Sequence, residues 1–257
     1  MCKKITVLIL TFVLFLSAAL LGCATVFRVD SVAVEASVVS EFAREEAREL
    51  KNRLEEVYKE DSTVFADDKE VKEALKEFPY LRYNGFTKKY PGKIIVRVTE
   101  DVEAYAVVAS DSDYFIISAD GVVMERRESP LNRLDGSPMV VIEGLDASGE
   151  KGHKLNGDER FAALLDFCGQ MSVHLNGIRD NVVKITVAEY SPEYTIQMQE
   201  GVCICVGEPL ALTKEKADKA MEIYLSLSDE ERMRGSIAVS DKGGNVVAIY
   251  DEKGLSL

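Results

Sequence analysis

The feature that most constrains this 257-residue chain is an apolar segment near its start that carries no charge. The segment runs from Ile5 to Phe27, and Lys3 and Lys4 precede it. About 20 apolar residues in a helix are enough to cross the hydrocarbon core of a bilayer. We therefore expect a transmembrane helix over 5–27, which makes this a single-pass protein of the cell membrane. By the positive-inside rule, residues 1–4 form a cytoplasmic tail and residues 28–257 lie outside the cytoplasm.

A lipoprotein signal is the alternative interpretation of the same segment. The stretch Leu20-Leu21-Gly22-Cys23 resembles the end of such a signal, with Cys23 as the lipidated residue. Leu21 is larger than the residue that usually stands before the glycine, and this favours a retained helix. On either hypothesis the rest of the chain is tethered to a membrane. The mass of the mature chain distinguishes the two, because lipoprotein processing removes the residues before Cys23 and adds a lipid.

Charge and cysteine content exclude two classes of protein. The formal net charge is −13, which repels phosphate backbones, so we expect no nucleic-acid partner. The three cysteines beyond the apolar segment are too few for a disulfide scaffold. Cys203 and Cys205 alternate along a predicted strand and are interpreted as core residues. A bridge from Cys168 to one of them stays open outside the cytoplasm.

The first region after the membrane segment, residues 28–100, alternates between strand and helix patterns. A strand is predicted over 27–35, followed by a helix capped by Ser40. Asp67 and Glu70 predict a capping box for a second helix, which Pro79 ends. A type II turn at 90–93 precedes a strand over 94–100. The predicted order is therefore strand, helix, helix, strand, strand, with both helices on one side of a small sheet.

This order beside one membrane span resembles a POTRA domain. The local motifs are Phe78-Pro79-Tyr80, Lys89-Tyr90-Pro91 and the strand Ile94–Glu100. In this order they resemble the FtsQ/DivIB family of bacterial division proteins. In that family a second β-rich domain follows directly. The resemblance implies an α+β fold class: a transmembrane helix, a POTRA domain (βααββ) over 28–100, and a β-rich α+β domain over 101–257.

The second region, 101–257, contains many short apolar runs separated by turn residues. Strands are predicted over 114–118 and 182–187, and the Asp120-Gly121 pair predicts a hairpin. Two helices are predicted over 158–175 and 212–227, and in the second Ala217, Ala220, Met221, Tyr224 and Leu225 are predicted to face inward. Two further strands, 235–239 and 246–250, form a closing hairpin.

The resemblance extends into this region. Segments 197–202 and 206–208 are similar to the family's C-terminal signature. The family usually has aspartate and arginine in the strand where this chain has Ile237 to Ser240, which puts side-chain-specific contacts in doubt.

A search of the sequence for reactive groups predicts no catalytic, cofactor-binding or metal-ligating residue. His153 and His174 have no partner at metal-ligand spacing, and no phosphate loop or nucleophile elbow is present. Asp111 and Asp113 are interpreted as turn residues, because the glycine and distal glutamate of a calcium loop are missing. The chain is therefore predicted not to be an enzyme.

Recognition of other proteins is the remaining hypothesis. The outer strand of the closing hairpin is a candidate open edge, able to accept a strand or helix from a partner. The family resemblance implies the same place, with FtsB/DivIC-like and FtsL-like partners at the division septum and a role in regulating septal cell-wall synthesis. The oligomeric state stays open. The resemblance assigns partner binding to Ile237, Val239, Asn245, Val247 and Ile249.

The rival hypothesis is an extracytoplasmic lipoprotein that binds a ligand or acts as an enzyme. It requires lipidation at Cys23 and a polar pocket in the second region.

Overall fold

A computed structural model describes residues 11–15, 17, 25–109, 113–129, 132–133, 136–157, 159–190 and 193–254. Most of the predicted span 5–27, Cys23 included, lies outside these residues, as do Asp111 and the predicted tail 1–4. No helix of the described part of the chain is both long and apolar enough to cross a membrane. The chain divides into two compact units, Met1–Asp101 and Val102–Leu257. Both units combine helices with a sheet, so the predicted α+β class is confirmed.

The first unit has the predicted order of elements. Its sheet has three strands in the order β1-β3-β2, with β1 parallel and β2 antiparallel to β3. A short 3-10 turn, Leu75–Glu77, ends the second helix before Pro79. The identification of residues 28–100 as a POTRA domain stays a prediction. The elements are β1 (Ser31–Ser37), α1 (Glu41–Val57), α2 (Lys69–Ala74), β2 (Leu81–Lys89) and β3 (Lys93–Glu100).

Helix α1 forms for the reasons that its sequence predicts. The Ser40 hydroxyl accepts a hydrogen bond from the Ala43 amide at 3.1 Å, which satisfies one of the unpaired donors at the helix start. Apolar residues recur every three or four positions and are buried against the sheet. The buried set is Ala43, Ala47, Leu50 and Leu54 from the helix, with Val32, Ile94, Val96 and Val98 from the strands.

The predicted capping box of α2 is wrong. The residue that precedes the helix is Asp68, one position later than predicted, and its side chain makes no capping hydrogen bond. The Asp68 carboxylate instead accepts a hydrogen bond from the Tyr83 hydroxyl at 2.8 Å and pairs with Lys72 at 2.7 Å. Asp67 accepts from the Lys69 amide, a local turn contact. The tertiary contact with Tyr83 therefore takes the carboxylate that a cap would have used.

The predicted type II turn at 90–93 is also wrong. That turn requires a positive φ at its glycine, and Gly92 is not among the residues with positive φ; the Tyr90–Pro91 peptide bond is cis. Glycine is needed there for a different reason. A Cβ at Gly92 would lie 2.8 Å from the carbonyl oxygen of Arg28, and the Gly92 carbonyl accepts from the Asp30 amide at 2.7 Å.

The second unit is built on a nine-stranded sheet with the order β12-β11-β10-β9-β8-β7-β4-β5-β6. Strand pairs β4/β7, β7/β8 and β10/β11 are parallel, and the others are antiparallel. Strands β12 and β6 are therefore the two edges. The strands are β4 (Glu103–Val108), β5 (Tyr114–Ser118), β6 (Val123–Arg127), β7 (Val140–Glu143), β8 (Val182–Val187), β9 (Tyr194–Met198), β10 (Cys203–Val206), β11 (Ser236–Lys242) and β12 (Asn245–Asp251).

Helices of the second unit bury one face of this sheet. They are α3 (Glu159–Leu175), α4 (Thr213–Ser226) and the short α5 (Asp229–Arg232). Residues Ala217, Ala220, Met221 and Tyr224 of α4 face the core as predicted. Leu225, also predicted to face inward, is 49% exposed. One residue turns the helix by 100°, so Leu225 lies beside the buried stripe that Tyr224 completes.

Candidate partner-binding edge

The hairpin of β11 and β12 closes with the tightest turn available to two strands. Gly243 and Gly244 have φ values of +64° and +83°, a backbone that glycine adopts without strain. Two such residues form a type I′ turn, whose twist matches that of the flanking strands. The Gly244 amide also donates to the Asp241 carboxylate at 2.7 Å. Lys242 consequently pairs with Asn245, and the ladder runs back to Ser236 and Asp251.

Hydrogen bonds on the other side of β11 determine which backbone groups of β12 are free. The carbonyl of Gly235 accepts from the Cys203 amide, and that of Val239 accepts from the Gly207 amide. Odd-numbered residues of β11 therefore bond to β10, and even-numbered residues bond to β12. The even-numbered residues pair with the odd-numbered residues of β12.

It follows that Val246, Ala248 and Tyr250 direct their N–H and C=O groups away from the sheet. Within the described residues, no other strand pairs with this side of β12. Their side chains point in a different direction from their backbone groups, because they pack against the core. The Tyr250 hydroxyl fixes this arrangement by donating to the Glu231 carbonyl at 3.1 Å. The edge is therefore held rigidly while three donors and three acceptors stay available.

The structure brings the five predicted site residues to one hairpin but places them on two faces. Ile237 and Val239 are 0% and 2% exposed and lie in the core. Asn245, Val247 and Ile249 lie on the opposite face, where Asn245 is exposed and Ile249 is 56% exposed. A partner strand at this edge would therefore contact Asn245, Val247 and Ile249 directly. Ile237 and Val239 would not be contacted, because they anchor the neighbouring strand β11 in the core.

Two small side chains, one of them buried, lie beside Ile249 on this face, and the sequence did not reveal this row. Across the strands, Cys205 pairs with Ala238, which pairs with Ile249. Cys205 is buried, as predicted for a core residue, whereas Cys203 is only partly buried. Neither belongs to the main core cluster, because Ile204 between them occupies that side of the sheet. Alternation with the larger Val202, Ile204 and Val206 is the signal that could have shown which face is inward.

The cysteine thiols of the second unit are unreactive. Cys168, Cys203 and Cys205 are free, so the bridge from Cys168 that the sequence left open is not formed. Burial raises the pKa of Cys168 to about 12 and that of Cys205 to about 11. Both are therefore protonated near neutral pH, and a protonated thiol is a poor nucleophile.

The two histidines have separate and ordinary surroundings. His174 Nε2 lies 2.9 Å from Asp218 Oδ1 on α4, and His153 Nδ1 lies 3.2 Å from the Lys151 carbonyl. Among the residues that the structure describes, no three His, Cys, Asp or Glu side chains come close enough together to hold a metal ion. What this surface offers to a ligand is a row of backbone hydrogen-bonding groups beside an apolar face.

Comparison with known proteins gives consistent matches. The cell division protein DivIB of Clostridium botulinum (strain Hall) is 24% identical over an alignment 265 positions long, which covers 98% of this chain and 93% of that protein. The protein of the same name from Clostridium tetani is 26% identical over 204 residues, covering 76% and 71%. That of Clostridium acetobutylicum is 25% identical over 180 residues. No model of a protein family matches the chain. These relatives give no support to the lipoprotein hypothesis.

Proposed function

We propose that this chain, which belongs to the FtsQ/DivIB family of bacterial cell division proteins, is a membrane-anchored scaffold that binds partners through the outer edge of β12. It is a cell division protein. The proposed partners are FtsB/DivIC-like and FtsL-like membrane proteins at the septum, and the proposed consequence of binding is regulation of septal cell-wall synthesis. Residues 5–27 would provide the single span, with residues 1–4 in the cytoplasm and residues 28–257 outside.

The observation that carries this proposal is the outer edge of β12, with which no other described strand pairs. An added strand would form main-chain hydrogen bonds with Val246, Ala248 and Tyr250. Such bonds give affinity that does not depend on side chains, whereas pockets for alternate side chains give specificity. Val247 and Ile249 would supply the apolar contact beside the ladder. The family's aspartate and arginine are missing around Ile237 to Ser240, and a backbone mode of binding does not require them.

The register of the hairpin selects the variant that tests the proposal. Ala248→Pro removes an N–H that points outward and places a ring where a partner strand would lie, while the ladder with β11 is retained. Proline is tolerated on edge strands in this orientation, and its Cβ preserves the packing of the alanine methyl. Since one net hydrogen bond contributes about 0.5–1.5 kcal/mol and the ring blocks its neighbours, we expect binding to weaken tenfold or more.

The experiment is a crosslinked pull-down from membranes that contain the full chain. Ala248→Ser is the matched control, because it retains the N–H and nearly the same volume. Circular dichroism and thermal unfolding establish that both variants are folded. Loss of the partner with Ala248→Pro alone supports the proposal. Equal capture by both folded variants would exclude the β12 edge as the binding site.

A further inference from the structure

One end of the first unit gathers three segments of the chain, residues 26–28, 62–66 and 88–93, which we call the tip. The Thr63 amide donates to the Phe27 carbonyl at 2.7 Å, and the Thr63 hydroxyl donates to the carbonyls of Phe27 and Pro91. Lys88 Nζ donates to the Val64 carbonyl at 2.9 Å. Thr63 is fully buried, so these bonds hold the three segments in a fixed arrangement.

Large apolar side chains at the tip point into solvent. Phe65 is 75% exposed, Tyr90 is 60% exposed and Val26 is 61% exposed. The rings of Phe27 and Tyr90 meet edge to face with centroids 5.8 Å apart. A cluster of exposed aromatic residues on a fixed backbone is unfavourable in water and typical of an interaction site. Tyrosine is also enriched at the boundary between lipid and water, and phenylalanine occurs on the apolar face of segments that lie in that boundary.

Charge at the tip has the opposite sign to that of the chain. Lys88, Lys89 and Lys93 flank Tyr90, and no acidic residue occurs between positions 87 and 93. The net charge of the whole chain is −13. Acidic residues border the tip elsewhere, because Asp61 and Asp67 flank residues 62–66 and the Asp30 carboxylate lies beside Gly92. On the β2–β3 turn the exposed aromatic surface is bordered by lysines.

The path of the chain indicates what covers this surface. Residues 26–28 are where the chain enters the first unit, at the end of the uncharged segment 5–27, which Arg28 follows. If that segment spans the bilayer, the tip is the part of the unit that emerges at the membrane surface. Lysines can extend their ammonium groups to lipid phosphates while their stems lie along apolar surface.

We infer that the tip docks on an anionic membrane surface, with Phe65 and Tyr90 in the lipid interface and Lys89 and Lys93 at the lipid phosphates. This inference rests on the membrane anchor in the proposed function and is independent of the β12 edge. Docking would fix the orientation of the first unit relative to the bilayer, which a flexible tether alone would not do.

Fluorescence provides the test, because the chain contains no tryptophan. The full chain carries Phe65→Trp or Tyr90→Trp and is reconstituted into vesicles of phosphatidylcholine and phosphatidylglycerol whose acyl chains are brominated. Phe42→Trp is the matched control. Phe42 is 48% exposed and meets the Tyr80 ring edge to face, but it lies at the far end of α1. That helix has 17 residues, which at 1.5 Å per residue separates the control from the tip by about 25 Å.

We expect emission at positions 65 and 90 to be quenched and shifted to the blue, and emission at position 42 to be unchanged. Adding Lys89→Gln and Lys93→Gln should lower the ratio of docked to undocked protein about 30-fold, from about 1 kcal/mol for each lysine near an anionic surface. Vesicles of phosphatidylcholine alone should lower this ratio as well. With either change, the tryptophan emission at positions 65 and 90 should become like the emission at position 42.

Three outcomes overturn the inference in distinguishable ways. If the chain incorporates but all three tryptophans behave alike, the first unit is tethered without docking. If quenching at positions 65 and 90 is unchanged both by the lysine substitutions and by removal of the anionic lipid, the lysines do not bind lipid phosphates. If the chain does not float with the vesicles at all, the membrane anchor itself fails, and with it that part of the proposed function.

Discussion

The two edges of the nine-stranded sheet are built in opposite ways. Strand β6 has five residues, of which Glu125, Arg126 and Arg127 are charged. Strand β12 has seven residues and carries no charge before Asp251. Exposed edges invite pairing with other chains, and charged side chains are a common protection. One edge of this sheet is therefore protected, and the other has the composition of a strand that another chain covers.

Ion pairs reinforce the protection at β6. Arg127 pairs with Glu103, which is 3% exposed, and with Glu125. Arg126 pairs with Asp113 at 3.0 Å and lies over the Phe115 ring. The register between β5 and β6 also shifts near Ile116, an irregularity that disfavours further pairing. At β12 the ladder is regular along its whole length, so a partner strand could continue it.

The largest effect is expected at the protected edge. Arg127→Met removes the guanidinium from the buried Glu103 carboxylate, and breaking a buried pair in this way costs about 3–5 kcal/mol. Urea unfolding of the full chain measures this decrease in the free energy of unfolding. Arg126→Met is the control, because the half-exposed pair with Asp113 contributes at most about 1 kcal/mol. Partner capture by either folded variant should be unchanged, and its loss would contradict the contrast between the edges.

Alanine substitutions at two isoleucines of the hairpin distinguish the residue that stabilises β12 from the residue that would contact a partner. Ile237→Ala should lower the free energy of unfolding by about 2–4 kcal/mol, because Ile237 is fully buried. Ile249→Ala should change it by less than about 1 kcal/mol, since its side chain is 56% exposed. Partner affinity should fall with Ile249→Ala although the fold is kept. A large loss of stability at Ile249 would show that this face is covered within the chain.

Proline at neighbouring positions tests the direction of the backbone groups. Val247→Pro should cost about 1–3 kcal/mol of stability, because the Val247 N–H belongs to the ladder with β11. Ala248→Pro should cost much less and should abolish partner capture. Hydrogen exchange of the two amides in the unbound chain gives the same information. Faster exchange at Val247 than at Ala248 would mean that the register is shifted by one residue.

The smallest change in stability is expected from giving β12 the protection that β6 has. Ile249→Lys should alter the free energy of unfolding by less than about 0.5 kcal/mol. It should nevertheless weaken partner capture and reduce self-association at high concentration. Val173→Lys on α3 is the control, because Val173 is 79% exposed and distant in sequence from the hairpin. Equal effects of both lysines would indicate a general effect of charge.

Local sequence patterns determined the elements well. Tyr114–Ser118 and Val182–Val187 have their predicted bounds, and Ser40 caps α1 as expected. The closing hairpin was placed correctly because Gly243 and Gly244 leave few other turns. The capping-box error shows where local patterns stop, because the carboxylate of Asp68 at the start of α2 is bound by the distant Tyr83.

The candidate site was only partly predictable. Its location on the last hairpin followed from the chain's resemblance to a family and from the apolar run 246–250. On β11 the small or polar Ser236, Ala238 and Ser240 alternate with Ile237 and Val239, which indicates that the latter two point inward. On β12 the run 246–249 is apolar on both faces, so the sequence pattern does not show which of its residues are accessible.

From the sequence alone follow the α+β class, the positions of most helices and strands, and the resemblance to a family of division proteins. These follow from periodicity and turn chemistry within a few residues, and from motif order along the chain. The tertiary structure decided which strands neighbour each other, that β12 and β6 are the edges, and which amides of β12 point outward. Strand pairing joins residues far apart in sequence, and a shift of one position reverses every side chain, so no local pattern could have fixed it.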